Sequence, residues 1–149
     1  MMLMRLLLVV ATLLAANSAG AETARNADSQ AIQHVMMAQF DKPDAPLTVA
    51  PVVIVADHAI AGWTQADMGG RALLRRKNGV WAIVLCAGDQ LTTSEALRMA
   101  GLSDDHAQSL IAALSDAESK IAPERIAMFG RFEGLVTMDD HGGHPPHHH

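Results

Sequence analysis

Arg71-Ala-Leu-Leu-Arg-Arg-Lys-Asn-Gly-Val-Trp-Ala-Ile-Val-Leu-Cys86 decides the fold. Asn78-Gly79 is the strongest hairpin signal in the chain, because both residues tolerate the positive φ of a tight two-residue turn. The residues on either side are rich in branched and aromatic side chains, so Arg71 to Arg76 and Val80 to Cys86 read as paired antiparallel strands. Strict alternation puts Trp81, Ile83 and Leu85 on one face of the second strand and Val84 and Cys86 on the other. Upstream, Val49 to Val55 is β-rich, Asp57-His58 makes a turn into Ala59 to Gln65, and Gly69-Gly70 signals a second turn. The centre of the chain is therefore an antiparallel meander of three or four strands.

The flanks have a helical period. Ile32, Val35, Met36 and Phe40 line one side of a helix that Asp28 is placed to cap, and Pro43 and Pro46 end it. After the strands, Thr93 or Ser94 caps a short helix stopped by Gly101. Ser103 opens another, with Asp104 and Asp105 in the first turn, where the helix dipole favours acids. Leu110, Ile111, Leu114 and Ile121 form its apolar stripe, and Pro123 suits the first turn of a last short helix. Glu133 to Met138 reads as extended. The class is α+β: an N-terminal helix, a curved antiparallel sheet and C-terminal helices on one face. That order is analogous to cystatin-like or NTF2-like rolls, an architectural analogy with no functional content.

Composition narrows the function. The chain has 149 residues, a formal charge of −5, no Tyr, three Phe and two Trp. It lacks both the basic face and the aromatic platform that nucleic-acid binding requires. One cysteine supports neither an internal disulfide nor a cysteine-only zinc site. Met1 to Ala21 carries Arg5, the apolar run Leu6 to Ala16, and then Ala19-Gly20-Ala21. This is the order of a cleavable secretory signal, and Asn17 and Ser18 interrupt the run short of a membrane anchor. The expectation is export to the bacterial periplasm or beyond, with residues 22–137 forming one domain and no stable membrane insertion after cleavage.

The remaining segment, 138–149, is Met-Asp-Asp-His-Gly-Gly-His-Pro-Pro-His-His-His. It holds His141, His144, His147, His148 and His149, five of the eight histidines in the chain. Neutral imidazole is the commonest metal ligand, and a short His-rich tract is a metal-binding composition. Gly142-Gly143 lets His141 and His144 share an ion, whereas Pro145-Pro146 in an extended helix separates His144 from His147 by about 9 Å along the backbone. Asp139, Asp140 and the terminal carboxylate add oxygen donors, and Met138 adds a thioether. Copper fits this mixture, as Cu(II) on imidazole and oxygen or Cu(I) on imidazole and sulfur, and Cu(II) leads the divalent affinity order. A purification tag and a polar end without a metal role are the competing readings of the segment.

Other soft donors are candidates of a second kind. Met68 lies in the polar run Asp67-Met68-Gly69-Gly70, where no core position is evident. Cys86 is either a small buried hydrophobe or a thiolate ligand. Met36, Met99 and Met128 sit among apolar helical neighbours and read as core. His34, His58 and His106 are scattered over two helices and a turn. Arg71, Arg75, Arg76 and Lys77 read as a solvated hairpin tip. The chain has no Ser-His-Asp order and no H-E-x-x-H, so no residues suggest an enzyme.

Several of these strings occur together: Phe40-Asp-Lys-Pro-Asp-Ala-Pro-Leu-Thr-Val49, Ala59-Ile-Ala-Gly-Trp-Thr-Gln65, Gly69-Gly-Arg-Ala-Leu-Leu-Arg-Arg76, Trp81-Ala-Ile-Val-Leu-Cys86 and Met138-Asp-Asp-His141. Together they resemble the small periplasmic proteobacterial proteins known as copper uptake system-associated proteins. The resemblance implies copper acquisition or delivery outside the cytoplasm, alongside copper-handling periplasmic or outer-membrane partners, and supplies no residue-level mechanism. A different class stays open: a protein- or ligand-binding α+β module whose tail buffers zinc, nickel and copper.

Overall fold

The computed structural model describes residues 3–138, with side chains from residue 18 onward. Elements follow in the order α1 (Leu3–Phe40), β1 (Leu47–Val55), β2 (His58–Gln65), β3 (Met68–Lys77) and β4 (Val80–Ala87). A 3-10 turn (Asp89–Thr92) then leads to α2 (Ser94–Met99), α3 (Asp104–Glu118), α4 (Pro123–Phe129) and β5 (Leu135–Thr137). The protein is α+β. Its five strands form one open antiparallel sheet in the order β1-β2-β3-β4-β5, one strand more than the meander expectation. Among the described residues, no helix is long and apolar enough to cross a membrane.

Each face of the sheet carries its own core. On one face Ile32 and Met36 of α1 pack against Val49, Ala59, Ala61, Ala72, Leu74, Trp81 and Ile83. On the other, Leu91, Leu97, Leu102, Ala107, Leu110 and Leu114 cover Val53, Ile60, Leu73 and Leu85. The strands are short of polar positions for this reason: both faces are dry. The C-terminal helices α2 and α3 share one face, as expected, opposite α1. The helix boundaries follow local chemistry. Thr93 Oγ1 accepts from the Ala96 N–H at the start of α2, Ser103 Oγ accepts from the His106 N–H at the start of α3, and Pro123 occupies the first turn of α4. Ile121 lies past the end of α3 rather than on its stripe.

Three local expectations are corrected. Asp28 does not cap a helix, because α1 runs continuously through it. Its carboxylate instead accepts from Arg76 Nη1 at 2.8 Å and from Trp81 Nε1 at 3.1 Å, so it ties α1 to the β3–β4 hairpin. Gly69-Gly70 is not a turn; it lies inside β3. A Cβ on Gly69 would come within 2.6 Å of the Met128 carbonyl oxygen, so glycine is needed there for close approach of α4 to the strand. The turn itself falls at Ala66-Asp67, with Ala66 at φ +52°. Asn78 and Gly79 do form the β3–β4 turn, at φ +53° and +77°.

The third correction concerns alternation in β4. Leu73 pairs with Leu85, but Leu74 pairs with Ile83, so Val84 is the extra residue of a β-bulge. One extra residue reverses the parity beyond it. Trp81, Ile83 and Cys86 therefore share the α1 face, and Leu85 lies on the opposite one. Sequence alternation had separated Cys86 from Trp81 and Ile83.

Candidate functional site

His141, His144, His147, His148 and His149 lie outside the described residues. What the structure fixes is the point from which that segment departs. β5 pairs with the end of β4 through Leu85–Thr137, Cys86–Val136 and Ala87–Leu135. The Met138 N–H then donates to the Val84 carbonyl at 2.8 Å, continuing the ladder by one bond. The Met138 side chain packs, partly buried, against the α1-face core to which Cys86 belongs. Among the described residues Met138 is thus the last one anchored to the sheet, and it is the first residue of the candidate metal-binding segment.

Cys86 is buried and free. Desolvation disfavours the thiolate and pushes its pKa up to about 11. At neutral pH it is a protonated, apolar-packed thiol in the folded protein. Met68 is the first residue of β3 rather than part of a turn, and its side chain is 43% exposed. It stands opposite Gln65, whose Nε2 donates to the Phe40 carbonyl at the end of α1 and to the Ala45 carbonyl in the loop that follows. The structure therefore brings Cys86 and Met138 into one layer and leaves Met68 on the surface at an end of β3. Met36 is fully buried in the α1-face core, as its helical spacing predicts. Met99, read as core from its neighbours, is exposed instead. Among the described residues, no three His, Cys, Asp or Glu side chains converge as a metal site.

The basic cluster is the largest departure from the sequence reading. Arg71 is only 2% exposed. Its Nε and Nη2 donate to the two Glu118 carboxylate oxygens at 2.7 and 3.0 Å, and its Nη1 donates to Asp89 Oδ1 at 3.0 Å. The guanidinium carbon lies 5.4 Å from the centroid of the buried Phe129 ring. Burial works against the charge, but the hydrogen bonds and charges of Glu118, then of Asp89, more than offset it and hold the pKa above the usual arginine value. Arg76 is half-buried over the Trp81 ring and pairs with Asp28 and Asp57. Only Arg75 and Lys77 fit the solvated-tip reading, since both are exposed.

Of the three scattered histidines, His34 is on α1, whereas His58 and His106 belong to the opposite side of the sheet. His58 begins β2 on the same face as Ile60, under α3, while His106 lies in the first turn of α3. His58 has its pKa lowered by burial, then by Arg75, with a smaller contribution from His106 and an opposing one from Asp57. Spacing in the sequence gave no sign of this grouping.

No protein-family model matches the chain, and no curated protein or solved structure matches it.

Proposed function

We propose that this is a periplasmic copper-binding accessory protein whose carboxyl-terminal histidines capture copper and present it to a copper-handling partner during uptake or delivery. The observation that carries the reading is the composition of residues 138–149: five imidazoles with a thioether and carboxylates, in a segment of twelve residues. The position of Met138 supports it, since the ligand-bearing segment departs directly from a strand anchored to the core. A tail of monodentate ligands suits transfer rather than storage. Its ligands leave the ion one at a time, so a partner's ligands replace them without one large barrier. The role is binding, with no group assigned to bond-making chemistry. Cys86, buried and protonated, is not needed for capture in this scheme.

Copper titration of the full chain and of a chain ending at Met138 tests the reading. Ending at Met138 keeps every sheet hydrogen bond of the described residues, so a loss of binding reports on the donors of residues 139–149 and not on unfolding. The expected outcome is loss of the tight copper equivalents in the shorter chain. Equal affinity and stoichiometry would remove the tail from the mechanism, and tighter retention of zinc than of copper under competition would favour a general metal buffer.

A further inference from the structure

We propose that Asn78 is a self-modifying site: its side-chain amide is lost as ammonia to the next peptide nitrogen, and the product loosens the hairpin that holds α1. Asn78 and Gly79 form the exposed two-residue tip between β3 and β4, at φ +53° and +77°. Among the described residues no hydrogen bond engages the Asn78 carboxamide, and no carbonyl accepts from the Gly79 N–H. A Cβ built on Gly79 would have nothing within 4 Å, so water reaches the tip from every side. The attacking nitrogen and the carboxamide carbon are therefore adjacent, unbonded and wet, and glycine brings no side chain to hinder their approach. Asn26 supplies the internal contrast. It is exposed too, but it is followed by Ala27, whose N–H belongs to the α1 ladder and whose methyl group crowds the attack.

The step needs water alone. The Gly79 nitrogen gives its proton to solvent and bonds to Asn78 Cγ; the Cγ–N bond breaks, ammonia leaves, and a cyclic imide remains. Water then opens the ring. Opening at the side-chain carbonyl gives aspartate, whereas opening at the main-chain carbonyl gives isoaspartate, whose main chain runs through the side-chain carbons and is one atom longer. A two-residue turn has no slack for that atom, because Lys77 and Val80 pair immediately beside it. The next pair is Arg76 with Trp81. These are the two residues whose side chains hold Asp28 of α1, at 2.8 and 3.1 Å. Damage at the tip is thus transmitted to the tie between helix and sheet. The proposal stands apart from the copper reading, and its test contains no metal.

The full chain is aged at neutral pH and 37 °C, and its peptides are mapped by mass spectrometry with isoaspartyl and aspartyl forms separated. Conversion is expected at Asn78, with isoaspartate among the products, at least about tenfold faster than at Asn26; that ratio equals a barrier about 1.4 kcal/mol lower. Asn78→Gly is the informative variant, since a Gly-Gly tip keeps the turn and lacks the carboxamide. The isoaspartyl chain should unfold at a lower urea midpoint than the fresh parent, with faster hydrogen exchange at the Arg76, Lys77, Val80 and Trp81 amides. Aged Asn78→Gly should stay at its fresh midpoint. Fresh Asn78→Asp carries the added charge on a main chain of ordinary length, and should be more stable than the isoaspartyl chain. Four results would overturn the proposal: no conversion at Asn78, equal rates at Asn78 and Asn26, an isoaspartyl chain as stable as the fresh parent, or Asn78→Asp as unstable as the isoaspartyl chain.

Discussion

Replacing Glu118 with alanine should destabilise the domain far more than its place at the end of a surface helix suggests. The substitution removes both of the paired hydrogen bonds to Arg71, at 2.7 and 3.0 Å, and leaves a guanidinium that is 2% exposed with one remaining acid. Hydrogen bonds to charged groups contribute roughly 1.5–3 kcal/mol each, and breaking a buried ion pair from one side costs about 3–5 kcal/mol. Asp89 at 3.0 Å and the Phe129 ring at 5.4 Å remain to compensate, which points to the lower end, about 3 kcal/mol. For a domain of this size that corresponds to a fall in Tm of roughly 12 °C. Asp89→Asn is the control. Asp89 is 78% exposed and makes a single hydrogen bond to Arg71, so it should cost no more than about 1 kcal/mol. Urea unfolding followed by the fluorescence of Trp63 and Trp81 reads both variants. A loss below about 1 kcal/mol in Glu118→Ala, or equal losses in the two variants, would refute the assignment of Glu118 as the principal partner of a buried charge.

Three further outcomes follow from the same structure. His58 has a folded pKa below 6.5, so the fold favours its neutral form; that stabilisation is complete above pH 6.5 and is lost as pH falls through the lowered value. His58→Gln should therefore flatten the decline in urea midpoint between pH 7.5 and 5, with Arg75, Asp57 and His106 left in place, and an unchanged decline would contradict this. Cys86 should resist a thiol-specific reagent at pH 7.5 in the folded chain and react promptly in denaturant, since its thiol is buried and its pKa is raised to about 11; rapid native labelling would refute it. Residues 19–27 are exposed throughout, so replacing Glu22 and Arg25 together with alanine should leave the chain within about 0.5 kcal/mol of the parent in urea unfolding. A loss above about 1 kcal/mol would show that the earlier part of α1 is held by the domain.

What the sequence disclosed depended on how local the cause was. Asn78-Gly79, Thr93, Ser103 and Pro123 act within a few residues, and each does in the structure what its chemistry predicts. Gly69-Gly70 misled because glycine has two uses, and the reason for glycine at 69 is the Met128 carbonyl, 59 positions away in the chain. Asp28 misled in the same manner: a good capping residue, it is used for Arg76 and Trp81 on another element. The bulge at Val84 left no mark in a run of apolar residues, yet it alone moved Cys86 to the α1 face. Arg71 did leave a trace, as a cation sharing strand parity with Leu73, but its partner Glu118 is 47 residues distant. For the candidate site, the burial of Cys86 and the packing of Met138 against its layer are long-range facts that pairing with β5 reveals.

The central claim, that the terminal imidazoles are the copper ligands, is tested most directly by electron paramagnetic resonance of the full chain loaded with one equivalent of Cu(II). The parent is compared with a variant in which His141, His144, His147, His148 and His149 are all alanine. The account predicts nitrogen hyperfine structure from coordinated imidazole in the parent, and its loss together with tight binding in the variant. An identical nitrogen signal at unchanged affinity in the alanine variant would contradict it and place the copper elsewhere.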